Sequence, residues 1–129
     1  MTDNELTYEI RGAAYDVHAA LGPGLLEGVY QAAMMHELTI RELRAEAEVG
    51  IEAIYKGISL GVGYRLDIVV ERRVVIELKA LECLLPVHHK QLLTYLKFSG
   101  IRWGLLINFN SHSLDKDNLV RKVLGYENS

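Results

Sequence analysis

The chain has 129 residues, of which 50% are hydrophobic and 24% are charged, so it can bury a core and is not expected to be disordered. Its net charge of −3 and its scattered basic residues argue against a strongly basic nucleic-acid-binding surface, and its one cysteine excludes an intramolecular disulfide. Neither a signal peptide nor an apolar run of about 18 residues is visible, which predicts one cytoplasmic domain over residues 1–129 without a membrane partner.

Two helices are predicted in the first third of the chain. Apolar residues at helical spacing indicate a helix over residues 4–21, which Asp3 or Asn4 can cap and which a glycine–proline–glycine sequence ends. A second helix over about residues 25–43 carries an apolar stripe that begins with Glu27. Glu27 is either an acid that the helix dipole favours in the first turn or a carboxylate directed at the sheet, where it requires a cationic partner.

Three strands follow, and the last two form a hairpin. Alternating residues predict a strand over residues 46–55, a glycine-containing turn and a long second strand, in which Gly61 and Gly63 suggest a bulge or a bend. Residues 64–80 alternate on both sides of a three-residue polar turn, with apolar side chains at the even positions. This period is typical of strands with one buried face.

The parity of the hairpin predicts its register. Both apolar sets face one core only if the numbers of paired residues sum to an even number. With a three-residue turn over residues 71–73 that sum is 144, so Asp67 lies directly opposite Glu77, and Lys79 follows two residues further along the same face. Opposed carboxylates have Cβ atoms roughly 4.5–5.5 Å apart and repel each other, and a hard divalent cation such as Mg²⁺ would relieve that repulsion. The alternative is a solvated strand face that carries ordinary charges.

The second half of the chain predicts a helix, a strand and a last helix. Pro86 suits the start of a helix that ends near residue 99. Three polar residues share one face of this helix: His88, Gln91 and Tyr95. Residues 103–109 are almost wholly apolar and predict a central strand that joins the previous strand in parallel, and residues 114–124 predict a helix with a frayed tail. The predicted fold class is α/β (α+β), a mixed four-stranded sheet flanked by helices in the order α-α-β-β-β-α-β-α.

The chain resembles the small GxxExxY proteins of the PD-(D/E)XK nuclease superfamily, which have a restriction-endonuclease-like core. Residues 24–30, G-L-L-E-G-V-Y, match the naming motif, and Asp67 with residues 77–79, E-L-K, matches the D…E-x-K signature. The helix and strand that follow the signature also match, at residues 88–97 and 105–109. Leu66 stands where the signature aspartate often has a preceding proline.

The resemblance implies metal-dependent hydrolysis of phosphodiester bonds in nucleic acid, either DNA or RNA. Four groups would hold Mg²⁺ or Mn²⁺: the side chains of Asp67, Glu77 and Glu27 and the backbone carbonyl of Leu78. Lys79 would orient or deprotonate the attacking water, and Gln91 would position a phosphate or a water. Three further residues are candidates for substrate positioning: Tyr30, His88 and Tyr95.

Two other interpretations stay open at this point. The chain is also compatible with a noncatalytic binding or assembly module built on the same fold. Alternatively, the carboxylates pair with Lys79 only as a structural ion network. Since a small nuclease often needs a second copy to grip its substrate, a homodimer is expected.

Overall fold

The computed structural model describes residues 1–125, and the end of the predicted frayed tail, residues 126–129, lies outside this range. The elements in chain order are α1 (Asp3–Leu21), α2 (Glu27–Ile40), β1 (Ala45–Tyr55), β2 (Ile58–Val70), β3 (Val74–Lys79), α3 (Pro86–Ser99), β4 (Trp103–Asn108), a 3₁₀ turn (Lys116–Asn118) and β5 (Leu119–Val123). The predicted class, a mixed sheet flanked by helices, is confirmed. In the described part of the chain, the helices are too short or too polar to cross a membrane.

The five strands lie side by side in the order β1-β2-β3-β4-β5. β3 and β4 run parallel and are joined by α3, whereas the other neighbouring strands are antiparallel. A parallel pair needs such a crossover because a tight turn cannot return the chain in the same direction. In the β2–β3 hairpin, Ile68 pairs with Ile76 and Val70 pairs with Val74, which confirms the predicted register and the three-residue turn.

The helix predicted over residues 114–124 is wrong, because this segment forms the 3₁₀ turn and β5. β5 pairs antiparallel with β4 along its length, from Trp103–Val123 to Ile107–Leu119. This pairing satisfies backbone groups of β4 that would otherwise form an open sheet edge. A strand of five residues is too short for its period to distinguish it from a helical turn. The sheet therefore has five strands instead of four.

The β2–β3 hairpin is buried on both faces, not on one. From Ile68 to Leu78 the even-numbered residues, such as Ile76, pack in the cluster that includes α1 and α2. Before Asp67, however, Tyr64 and Leu66 pack in the cluster with α3, so the prediction that all the even positions share one face is wrong for these two residues. The odd-numbered Val69 and Val75 pack against leucines of α3 on the other face. By the same alternation Glu77 belongs to the α3 face, and it is only 5% exposed. The helix α3 thus covers the face that the sequence pattern indicates as polar.

The cap of α1 also differs from the prediction. Thr2 caps the helix in place of Asp3 or Asn4: its side-chain oxygen accepts a hydrogen bond from the Glu5 N–H at 3.1 Å. The Glu5 carboxylate accepts one in return from the Thr2 N–H at 2.7 Å. This reciprocal capping box satisfies backbone donors at both ends of the first turn.

α2 begins and ends inside the predicted range of residues 25–43. It ends at Ile40, and Glu42 beyond it has left-handed backbone (φ 63°), which a right-handed helix cannot include. At its start, Glu27 is the first residue of the helix and the apolar stripe below it is buried. The positive end of the helix dipole therefore stabilises the negative charge of the Glu27 carboxylate.

Candidate active site

Asp67 and Glu77 face each other across the β2–β3 hairpin. Regular pairing between the two strands extends to Ile68–Ile76 and does not include the next row, in which the two acids lie. In this row, carboxylate oxygens accept hydrogen bonds from backbone N–H groups of the opposite strand. The Asp67 N–H donates to Glu77 Oε2 at 3.0 Å, and the Leu78 N–H donates to Asp67 Oδ2 at 2.8 Å. The backbone of the opposite strand therefore fixes each carboxylate.

A cavity of about 160 Å³ lies beside this row. Six residues line it: Glu27, Gly28, Gln31, Glu48, Asp67 and Leu78. Glu27 extends from the first turn of α2, and a hydrogen bond from the backbone of Ala80 links its carboxylate to the end of β3. Carboxylates from α2, β1 and β2 therefore share one cavity, with Glu77 next to it.

Burial, together with the charge of at least one neighbouring acid, raises the pKa of three acids of this cluster: Glu27, Asp67 and Glu77. Burial, followed by the charge of Asp67, raises the pKa of Glu77 to about 8. Burial also raises the pKa of Asp67, and burial together with the Asp67 charge raises that of Glu27. The negative charge of Glu48 acts in the same direction on both Asp67 and Glu27. A positive charge placed among these groups would stabilise their ionised forms.

Lys79 supplies a positive charge at the end of β3. It is half-buried, and its ammonium opposes the upward pKa shifts of the three acids of the predicted metal site: Glu27, Asp67 and Glu77. The ion pairs found within residues 1–125 belong to three arginines, Arg41, Arg72 and Arg73, and none includes Lys79. Lys79 therefore acts on the acids through space and not through a direct salt bridge.

Tyr95 is the α3 residue that reaches the acids. Burial, and then the charges of Glu77 and Asp67, raise the pKa of its hydroxyl. Its ring stacks on that of Tyr64 with 4.7 Å between the ring centroids. Gln91 lies one turn earlier on the same helix and is exposed to solvent.

Tyr30 and His88 have structural contacts that their motifs do not predict. Tyr30 is fully buried, and its hydroxyl donates to the Gly22 carbonyl at 2.6 Å and accepts from the Leu25 N–H at 3.1 Å. It stabilises the loop before α2 and is closed to a substrate, which corrects the substrate-positioning role predicted for it. His88 Nδ1 accepts the N–H of the residue that precedes α3, at 2.9 Å, and so caps that helix.

Two polar residues of the cavity, Gln31 and Glu48, are absent from the predicted site. Gln31 Nε2 donates to Glu48 Oε2 at 2.8 Å and to the Asp67 carbonyl oxygen at 2.9 Å. A signal for Gln31 exists in the sequence, because it lies one helical turn after Glu27 on the same face. Glu48 has no such signal, since bulges in the β1–β2 hairpin shift the register between the turn and this residue.

The donor atoms of the cluster suit a hard divalent cation, because Mg²⁺ prefers carboxylate and carbonyl oxygens. As they stand, however, no three Asp, Glu, His or Cys side chains in residues 1–125 are arranged to hold a metal ion together. The hydrogen bonds described above explain this, since Asp67 and Glu77 each direct an oxygen at a backbone N–H of the other strand. Shared coordination requires these carboxylates to reorient.

A mixed sheet with two opposed acids on its central hairpin, and a lysine two residues after the second acid, defines the PD-(D/E)XK class of protein. The model of the PD-(D/E)XK nuclease superfamily matches residues 4–123, and the chain belongs to this superfamily. No curated protein and no solved structure matches the chain significantly.

Proposed function

We propose that the protein is a metal-dependent nuclease that hydrolyses phosphodiester bonds in DNA or RNA, and that it is a GxxExxY protein within the superfamily. The observation that carries this proposal is the acidic cluster itself. Glu27, Asp67 and Glu77 come from three elements to one place, where burial and neighbouring carboxylates raise the pKa of each, without a neutralising salt bridge in the described residues. Such an arrangement is costly for folding alone and is typical of a functional site.

The residues of the cluster divide into acids that hold a cation and a lysine that assists the reaction. Mg²⁺ or Mn²⁺ would be held by the carboxylates of Asp67, Glu77 and Glu27 and by the Leu78 carbonyl. When bound, the cation would neutralise charge on the reacting phosphate and lower the pKa of a water. The Lys79 ammonium orients the attacking water or, once deprotonated, accepts its proton, and it stabilises negative charge on the phosphate.

The exposed side of α3 is the proposed path of the substrate backbone. Gln91 is exposed, His88 lies at the start of the helix, and the Tyr95 hydroxyl lies near the acids. We propose that Gln91 contacts a phosphate or a water and that Tyr95 and His88 help to position the substrate. Amide, hydroxyl and imidazole groups at these places can form hydrogen bonds with a phosphate group.

The homodimer and the cytoplasmic location stay predictions. Light scattering of the purified protein would measure its mass in solution and so test the dimer. Fractionation of cells that produce the tagged chain would test the location.

A noncatalytic binding or assembly module is the second candidate function. The present orientation of Asp67 and Glu77 favours it, because both carboxylates are engaged by backbone N–H groups. The third interpretation, a structural ion network around Lys79, has less support because the salt bridges of residues 1–125 do not include this lysine.

The deciding experiment is a cleavage panel over single- and double-stranded DNA and RNA with Mg²⁺ or Mn²⁺, with Glu77→Ala as the matched inactive variant. A Mn²⁺ titration of the parent and of Asp67→Asn accompanies it. Cleavage by the parent but not by Glu77→Ala, with Mn²⁺ binding that is lost in Asp67→Asn, supports the nuclease. A parent that neither binds Mn²⁺ nor cleaves any of these substrates supports the module.

A further inference from the structure

Asp67 occupies a row of the sheet in which regular strand pairing is missing on both sides. On the β1 side the pairing skips the Glu48–Asp67 row, where Glu48 has left-handed backbone (φ 56°). On the β3 side the pairing begins one row later, at Ile68–Ile76. The neighbours of Asp67 in β2 are held by backbone pairing with the adjacent strands. Within residues 1–125, Asp67 is held instead by hydrogen bonds that involve side chains.

Three such hydrogen bonds are present, and they come from two directions. Two connect Asp67 to β3, through Glu77 Oε2 and the Leu78 N–H. The third comes from α2, where Gln31 Nε2 donates one hydrogen to the Asp67 carbonyl oxygen and its second hydrogen to Glu48 Oε2. Gln31 is thus the contact through which α2 and β1 together hold the signature aspartate.

The chemistry of an amide suits this task. An amide NH₂ group has two donors and no charge, so it can bind a carboxylate and a carbonyl without neutralising the acids around it. A lysine or arginine at the same place would compete with a cation for these acids. Gln31 also lies one turn after Glu27 on the rigid helix α2, so its bonds fix where that helix stands relative to β2.

We propose that Gln31 is a positioning residue of the cation site, which sets the separation of Glu27 and Asp67 by tying α2 to the Asp67 carbonyl and to Glu48. This inference rests on the proposed function for the identity of the bound ion. The hold of Gln31 on Asp67 is a property of the metal-free protein and is measured separately.

The test compares Gln31→Met with His36→Ala. Methionine keeps the length and helix propensity of glutamine but has no donor, and His36 lies on the exposed face of the same helix. In metal-free protein, amide hydrogen exchange at Leu78, whose N–H depends on the Asp67 carboxylate, is expected to accelerate about tenfold in Gln31→Met relative to Val75. The Mn²⁺ dissociation constant, from the spin-resonance signal of free Mn²⁺, is expected to rise about 10–100-fold. Neither quantity should change in His36→Ala, and the two variants should unfold at the same denaturant concentration.

The outcomes separate this inference from the nuclease proposal. Parental exchange at Leu78 in Gln31→Met, or parental Mn²⁺ affinity in spite of faster exchange, overturns the positioning role and leaves the nuclease proposal intact. If Gln31→Met shows both expected changes but the parent cleaves no nucleic acid, the role of Gln31 is supported and the nuclease proposal is overturned. A parent that binds no Mn²⁺ overturns both.

Discussion

Two aspartates show how the surroundings determine the properties of a carboxylate. Asp3, of α1, lies beside the turn of the β2–β3 hairpin, and Asp67, of β2, lies at the other end of that hairpin. Asp3 packs beside the turn, where Oδ1 accepts from Arg73 Nη2 at 2.7 Å and Oδ2 accepts from Trp103 Nε1 at 3.0 Å. The hydrogen bond from Arg73 holds the pKa of Asp3 below its usual range. Asp67 has backbone and amide partners and acidic neighbours, and burial raises its pKa.

The difference lies in the balance of charge and not in the residue type. At the turn, one acid meets one guanidinium, so the protein itself completes the ion pair. At the other end, four acids, Glu27, Glu48, Asp67 and Glu77, surround the single ammonium of Lys79, and a cation from outside would complete the balance. The first site is expected to contribute to stability and the second to activity.

The largest expected effect is on the rate of cleavage. Under the proposed function, Lys79→Ala should reduce kcat about 10²–10⁴-fold, because it removes the group proposed to position or deprotonate the attacking water. Asp3→Asn, which changes a carboxylate far from that water, should retain the parental kcat. Steady-state cleavage with saturating Mn²⁺ measures both, and a Lys79→Ala variant as fast as its parent would contradict the assignment of Lys79.

The acidic end should destabilise the metal-free protein at high pH. Since the folded pKa of Glu77 is raised to about 8, the folded state keeps a proton that the unfolded state releases above about pH 4.5. The free energy of unfolding should therefore fall as pH rises from about 4.5 to 8. Glu77→Gln resembles the protonated acid and should be more stable than the parent by on the order of 2–4 kcal/mol at pH 9 and equal to it at pH 4.

Urea unfolding in the presence of EDTA at these two pH values measures the difference. A parent whose stability is the same at both, or a Glu77→Gln variant that gains nothing at the higher pH, would show that Glu77 titrates normally.

Replacing a buried polar residue without charge should lower the stability, and by the same amount at every pH. Asn108 is fully buried, and its side chain accepts the Leu81 N–H at 3.0 Å and donates to the Leu81 carbonyl at 3.0 Å. Asn108→Leu leaves both backbone groups without these partners and should lower the free energy of unfolding by about 2–3 kcal/mol at every pH. Urea unfolding at pH 5 and pH 8 checks this, and a loss that varies with pH would point to coupling with the acids.

The smallest expected effect concerns the balanced end of the hairpin. The folded pKa of Asp3 is lowered, so its contribution to stability is present above the unfolded pKa and is lost as pH falls through the folded pKa. Asp3→Asn should therefore lower the melting temperature slightly at pH 7 and leave it unchanged near pH 2. Calorimetry at both pH values provides the measurement, and an equal decrease at both would assign the effect to packing instead of charge.

The strand pattern and the turn together predict the Asp67–Glu77 pair: alternation with a period of two excludes registers that differ by one residue, and a three-residue turn selects one register among the rest. Glu48 could not be predicted in the same way. Starting from the pair Tyr55–Ile58 beside the turn, an unbroken ladder would place Glu48 opposite Arg65. Register shifts along the hairpin place it in the Asp67 row instead, and a bulge changes register without leaving a countable signal.

The hairpin, its register and its acid–acid–lysine set follow from the sequence by itself, since each depends on local alternation and turn length. Only the tertiary structure decided that α3 covers Glu77, that α2 directs Glu27 and Gln31 at the same cavity, and that residues 119–123 complete the sheet as a strand. Burial and charge are properties of a residue's neighbours in space, and those neighbours are separated from it by tens of residues along the chain. For this reason the residue types of the site can be predicted, whereas their raised pKa values depend on the fold.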